Sequence, residues 1–216
     1  MTTPTEHREI DLRVGGVDLG GMLTQPAGSD GLVIFVHGSG SSRFSPRNRY
    51  VAEELTAAGL GTLLFDLLTA GEEGDRRLVF DIELLADRLA KVTAQVGDKA
   101  NWVAYFGAST GAAAALWTAA DPDADIVSIV SRGGRPDLAI PRIDRVRAPT
   151  LLLVGGHDWT VLELNRQAAE RMRCPHQLTV VPGATHLFEQ PGTLEVVAHE
   201  ARDWFLAHRP GGTETT

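Results

Sequence analysis

The sequence predicts an α/β sandwich, a mostly parallel sheet of about eight strands with helices packed on both faces. Three observations predict it. Short unbroken apolar runs such as "GLVIFV" and "TLLLV" recur along the chain and read as strands buried on both faces. Segments with apolar residues every three or four positions lie between them and read as amphipathic helices. The two kinds of segment alternate after an opening hairpin, the order expected of parallel strands joined by crossover helices. At 216 residues the chain has room for one domain with a substantial core.

Each element has its own signal. "REIDLRV" and "VDLGGMLTQP" flank a glycine pair and read as the hairpin. "GLVIFVHG" is the first buried strand. A helix is expected from Pro46 to Ala58, where Pro46 suits a first turn that has no backbone N–H to lose. "GLGTLLFD" is the next strand. One long helix is expected to follow, because Leu78, Ile82, Leu85, Leu89, Val92 and Val96 share one face. Then come strand "NWVAYFG", helix "TGAAAALWTAA" and strand "ADIVSIVS". An irregular stretch containing Pro136, Pro141 and Pro149 separates these from strand "PTLLLVGG". Helix "LELNRQAAERM", strand "HQLTVVPG" and helix "TLEVVAHEARDWFLAH" close the chain. The expected single domain covers residues 6–208, with residues 1–5 and 209–216 as flexible ends.

Composition bounds the function. The formal net charge of −8 gives no basic face for nucleic acid or an anionic membrane. The single cysteine, Cys174, rules out an internal disulfide framework and suits a reducing compartment. The opening "MTTPTEHREI" lacks the basic and apolar parts of a secretory signal, and no apolar run is long enough to span a bilayer. The expectation is a soluble, cytoplasmic protein acting on a small molecule.

In sheets of this kind, chemistry sits beyond the carboxyl ends of the strands. The segments there are "HGSGSSR", "DLLTAGE", "GASTG", "SRGGR", "GGHDWT" and "PGATHLF". Gly107 to Gly111 match G-x-S-x-G, with an apolar strand before and a helix after. In a nucleophile elbow the serine occupies a strained strand-to-helix turn, and the flanking glycines avoid collision with neighbouring backbone. A serine hydroxyl needs a base, and the base needs an orienting acid. Asp158 and His186 follow later strands, in the order Ser, Asp, His. Taken singly, Asp158 could be a helix N-cap and His186 a loop histidine; together with Ser109 they make a candidate triad. The backbone N–H groups of Thr110 and Ser39 are the expected oxyanion donors. His37, also at a strand end, is read as a prop for the oxyanion loop.

These motifs together resemble the α/β-hydrolase fold, and most of all its small capless members grouped with the dienelactone hydrolases. The resemblance rests on "HGSGSS", "GASTG", "GGHD" and "PGATHLF" and spans nearly the whole chain. It implies hydrolysis through an acyl-enzyme with neither metal nor organic cofactor. Dienelactone hydrolases proper carry cysteine where this chain has Ser109, which points toward esters, thioesters or lactones more broadly. Acyl transfer or perhydrolysis on the same triad, and a non-catalytic binding protein of the same fold, are the alternatives.

The interval from Ser131 to Pro149 is too short for a helical cap, so the site is expected to be shallow and open. Trp159 and Phe188 could wall it or could be packing groups. Arg43, Arg47, Arg49, Arg132 and Arg135 cluster in the same loops. Arg43 and Arg132 are candidates to hold a substrate carboxylate or phosphate. The opposing reading is a solvated face paired with Glu53, Glu72, Glu73 and Asp137.

Overall fold

The structure, a computed structural model, describes residues 5–97 and 100–211. The expected flexible ends therefore lie largely outside the described residues; Thr5 already belongs to the first strand. Strands β1 (Thr5–Val14) and β2 (Val17–Pro26) form the hairpin. β3 (Gly31–Val36), β4 (Gly61–Phe65), β5 (Trp102–Ala108), β6 (Ile129–Arg132), β7 (Thr150–Gly155) and β8 (His176–Val181) complete one eight-stranded sheet. The strand order is β1-β2-β4-β3-β5-β6-β7-β8. Only the pairings of β2 with β1 and β4 are antiparallel.

This order places the site. The chain leaves β3 toward β4 on one side and returns as β5 on the other. The carboxyl ends of β3 and β5 therefore flank the switch point, where a crevice opens in sheets of this class. Helices α1 (Pro46–Ala57) and α6 (Thr193–His208) cover one face, over Val33, Phe35, Phe106, Val130 and Leu153. Helices α3 (Ile82–Gly97), α4 (Thr110–Ala119) and α5 (Trp159–Ala169) cover the other, over Ile34, Tyr105, Ile129 and Leu152. Strand alternation separates the two sets, as the pleat requires. Between β6 and β7 there are only two 3-10 turns, Pro136–Ala139 and Ile143–Arg145, and no cap. Among the described residues no helix is long and apolar enough to cross a membrane.

Three elements depart from expectation. The long helix is two: a single turn α2 (Arg76–Val79), then α3. Asp81 makes the break by accepting the Leu84 N–H on its side chain at 3.0 Å, while the spacing from Leu78 to Ile82 runs across it unchanged. β6 is shorter than its apolar run, although Val127 N–H still donates to Val103 O at 2.9 Å; upstream, the Arg147 guanidinium holds the carbonyls of Pro122 and Ala124. α5 begins at Trp159, immediately after the expected acid.

Candidate active site

Ser109 joins β5 to α4 at φ 50° and ψ −121°, the strained conformation of a nucleophile elbow. The flanking glycines follow from close approach. A Cβ on Gly107 would run into the backbone of Ala112, and one on Gly111 into the carbonyls of Val36 and His37. Only Ser109 and Phe188 among the described non-glycine residues have positive φ, and both lie at this site.

Asp158 is the N-terminal cap residue of α5, yet its side chain makes no capping bond. Its Oδ2 instead lies 2.6 Å from His186 Nδ1. With Nδ1 donating to the carboxylate, Nε2 is left as the basic nitrogen. The loop carrying His186 is fastened just past the end of β7, where His157 N–H donates to Ala184 O at 2.9 Å, and is tied internally by the Thr185 N–H, which donates to Gln190 Oε1 at 2.9 Å. The loop meets the elbow at the end of β6. Ser109 N–H donates to Arg132 O at 3.2 Å, and a Cβ on the next residue, Gly133, would lie 3.5 Å from His186 Nδ1. No hydrogen bond joins Ser109 Oγ to His186 Nε2 among the described residues.

Phe188 is not a pocket wall. It is 2% exposed and packs in the core with Val130 and Leu153, at φ 55°. Its ring pins the histidine loop, and that packing offsets a backbone conformation a bulky residue seldom adopts. Trp159 is the opposite case, 75% exposed beside the acid.

The loop after β3, the expected oxyanion loop, is held by His37. Nε2 accepts the Leu67 N–H at 3.0 Å, so Nδ1 carries the proton and donates to Gly38 O at 3.0 Å. Burial pushes the His37 pKa below its ordinary value, against smaller opposing effects of Gly38, Asp66 and Glu73. Ser39 N–H is not open: it donates to the Thr110 hydroxyl Oγ1 at 2.9 Å. Sequence reasoning assigned Thr110 only its backbone N–H; no local signal reveals the hydroxyl's place. Ser39 and Thr110 border a cleft of about 280 Å³ floored by Leu67, Leu68, Val79 and Leu85.

The arginines divide. Arg43 is not free for substrate, because its backbone N–H (2.7 Å) and its guanidinium both bind Asp66. Arg135 forks onto Asp137 at 2.8 and 2.7 Å. Arg47 stands 3.7 Å from Glu189. Arg132 is buried and donates only to Asn48 Oδ1, at 3.2 Å. No group of three or more His, Cys, Asp or Glu residues gathers as metal ligands among the described residues.

Known proteins agree with this architecture. No family model matches the chain. A dienelactone hydrolase of Anabaena variabilis is 49% identical, with TM-score 0.91 over 94% of this chain and 98% of its own. The esterase Est1E of Butyrivibrio proteoclasticus shares the fold at 16% identity, with TM-score 0.79 over 93% of this chain and 98% of its own. A Mycobacterium tuberculosis protein named "Putative phosphoribosyl transferase" is 57% identical over 212 residues, 96% of this chain. The chain spans about half (48%) of that protein's length. By its fold and its 49% identity over nearly the full length of both chains, this protein belongs to the dienelactone hydrolase family of α/β hydrolases.

Proposed function

We propose that the protein is a serine hydrolase that cleaves a small carboxylic ester, thioester or lactone through an acyl-enzyme on Ser109. One observation carries the reading above the rest: the Asp158 carboxylate forgoes capping its own helix and lies 2.6 Å from His186 Nδ1, beside a serine on a strained elbow. His186 Nε2 takes the Ser109 proton as Oγ attacks the carbonyl carbon. Asp158 holds the tautomer and stabilises the imidazolium. The proton then goes to the leaving oxygen or sulfur, the acyl bond breaks, and His186 activates water to release the acid.

The oxyanion needs donors already in place. Thr110 supplies its backbone N–H. Its hydroxyl, having accepted the Ser39 N–H, keeps its own proton to donate. In this reading Ser39 acts through Thr110, polarising the hydroxyl rather than touching the oxyanion. The cleft of about 280 Å³ beside these two residues suits a small acyl or alcohol group.

Labelling with a fluorophosphonate tests the proposal. Wild type is expected to gain the mass of one adduct, and Ser109→Ala none. An ester, thioester and lactone panel, with added competing nucleophiles, then separates hydrolysis from acyl transfer. A folded wild type that takes no adduct ends the hydrolase reading and favours a binding protein.

A further inference from the structure

Arg132 is the side chain this mechanism leaves unexplained. It closes β6, opposite Ala108 of β5 in register, and its own carbonyl holds the Ser109 N–H. The residue is 8% exposed, and its guanidinium is turned toward the first turn of α1, where it meets Asn48 Oδ1. Nε and Nη1 reach no acceptor. No carboxylate pairs with it among the described residues, and the charge that acts on it is a second cation, Arg47. Arg47 lies in that same first turn, its Nε also without an acceptor. Its one carboxylate neighbour, Glu189, is 3.7 Å away and 60% exposed, which screens the pair.

The first turn of α1 carries no acidic residue; Ser45 caps it by accepting the Asn48 N–H at 3.4 Å, so the helix end adds partial positive charge with no anion beside it. Two guanidinia thus meet at the amino end of α1, one of them on the residue whose carbonyl holds the Ser109 N–H, in a chain of net charge −8. A buried cation without a counterion is strongly disfavoured unless something supplies the anion.

We propose that Arg132 and Arg47, at the amino end of α1, form a subsite for a phosphate group carried by the substrate. This deepens the hydrolase reading and rests on it for the bond that is cleaved. A doubly charged phosphate neutralises both guanidinia, and its oxygens match their forked donors. A carboxylate carries one charge and leaves the second cation unanswered. The phosphate is a handle and stays intact. Ser109 attacks the carbonyl carbon of the same molecule, the acyl–oxygen or acyl–sulfur bond breaks, and the leaving group departs with the proton from His186.

Thermal unfolding of the whole protein tests this, with inorganic phosphate or acetate as probe and chloride matching the ionic strength. Phosphate is expected to raise the wild-type Tm by about 3 °C or more, and acetate not. Arg132→Met is expected to melt above wild type in phosphate-free buffer, because the lone cation is gone, and to ignore phosphate. Arg47→Gln is expected to fold like wild type with less than half the phosphate response. The subsite is overturned if phosphate gives no shift, if acetate matches it, or if Arg132→Met melts below wild type without phosphate. Fluorophosphonate labelling of the same samples separates the two proposals. An adduct without a phosphate response leaves the hydrolase and ends the subsite; a phosphate response without an adduct does the reverse.

Discussion

Arg88 and Arg132 are buried alike, at 6% and 8% exposure, one on helix α3 over one face of the sheet and the other turned toward α1 over the opposite face. Arg88 is fully answered. It donates to Leu67 O at 2.9 Å and forks onto Glu72 at 2.8 and 2.7 Å. Glu72 also accepts the Thr69 N–H and hydroxyl, each at 2.9 Å. These bonds hold Glu72 down to a pKa of about 2 and keep rigid the segment that meets His37. Arg132 has one amide oxygen. Burial first, then Arg47, lowers its pKa to about 10. The two shifts are similar in size and opposite in meaning. Glu72's is stability held at neutral pH; Arg132's is a cost borne there and relieved only as pH rises beyond about 10. A compensated charge builds a wall, whereas an uncompensated one stores the capacity to bind.

The largest effect comes from making the two arginines alike. Glu72→Ala would leave Arg88 in the condition of Arg132, and about 3–5 kcal/mol of stability should go, read by chemical denaturation. The same pair has a pH signature. The folded pKa of Glu72 lies below its ordinary 4.5, so its contribution is complete above 4.5 and lost as pH falls toward about 2. That amounts to roughly 3 kcal/mol, and it should be missing from the acid limb of the variant. A loss under about 1 kcal/mol would mean that solvent already screens Glu72, and the contrast with Arg132 would collapse.

Next in size is Thr110, which sits where the two regions meet. Thr110→Val keeps shape and backbone N–H and removes only the hydroxyl. We expect kcat to fall about 100-fold with KM nearly unchanged, and Thr110→Ser to recover most of it. An unchanged or faster valine variant would show the hydroxyl to be a plug over Ser39 N–H.

His37 belongs to the answered side. Its folded pKa is depressed, so the stability it contributes is whole above the ordinary 6.5 and is lost as pH falls below that. Protonating Nε2 breaks the bond from Leu67 N–H. His37→Phe should cost about 1–2 kcal/mol at pH 8 and flatten the stability profile just below pH 6.5. A variant profile parallel to wild type would place that titration elsewhere.

What could be read from sequence was whatever is local or set by strand ends. Every strand, the elbow and the order of Ser109, Asp158 and His186 carry signals within a few residues. The break at Asp81 was hidden because apolar spacing continues across it, and only the side-chain bond to Leu84 N–H ends the turn. Whether Phe188 walls the site or packs was open in the sequence, because proximity to His186 along the chain says nothing about the direction of a residue at positive φ. Partners of charges were the least legible. Arg43 finds Asp66 and Arg88 finds Glu72 across elements, and that Arg132 finds no carboxylate is visible only once the sheet is assembled.

Arg43 gives the smallest and most discriminating effect. It resembles Arg88 in having a carboxylate partner and Arg132 in flanking the site. Its side chain is 25% exposed, Asp66 is 13% exposed, and the guanidinium stacks 4.2 Å over the Phe44 ring. The pair is about as shielded as Arg88 and Glu72, but glutamine at this position keeps a neutral donor for Asp66, so the carboxylate is not left bare. Asp66 would also keep the Arg43 backbone N–H after substitution. Arg43→Gln should therefore cost about 1 kcal/mol or less in denaturant unfolding. It should lower kcat/KM for phosphorylated and neutral esters in parallel, by no more than about twofold. A selective loss on the phosphorylated ester would move Arg43 from the answered region to the unanswered one, and Asp66 would then be a partner that gives it up to substrate.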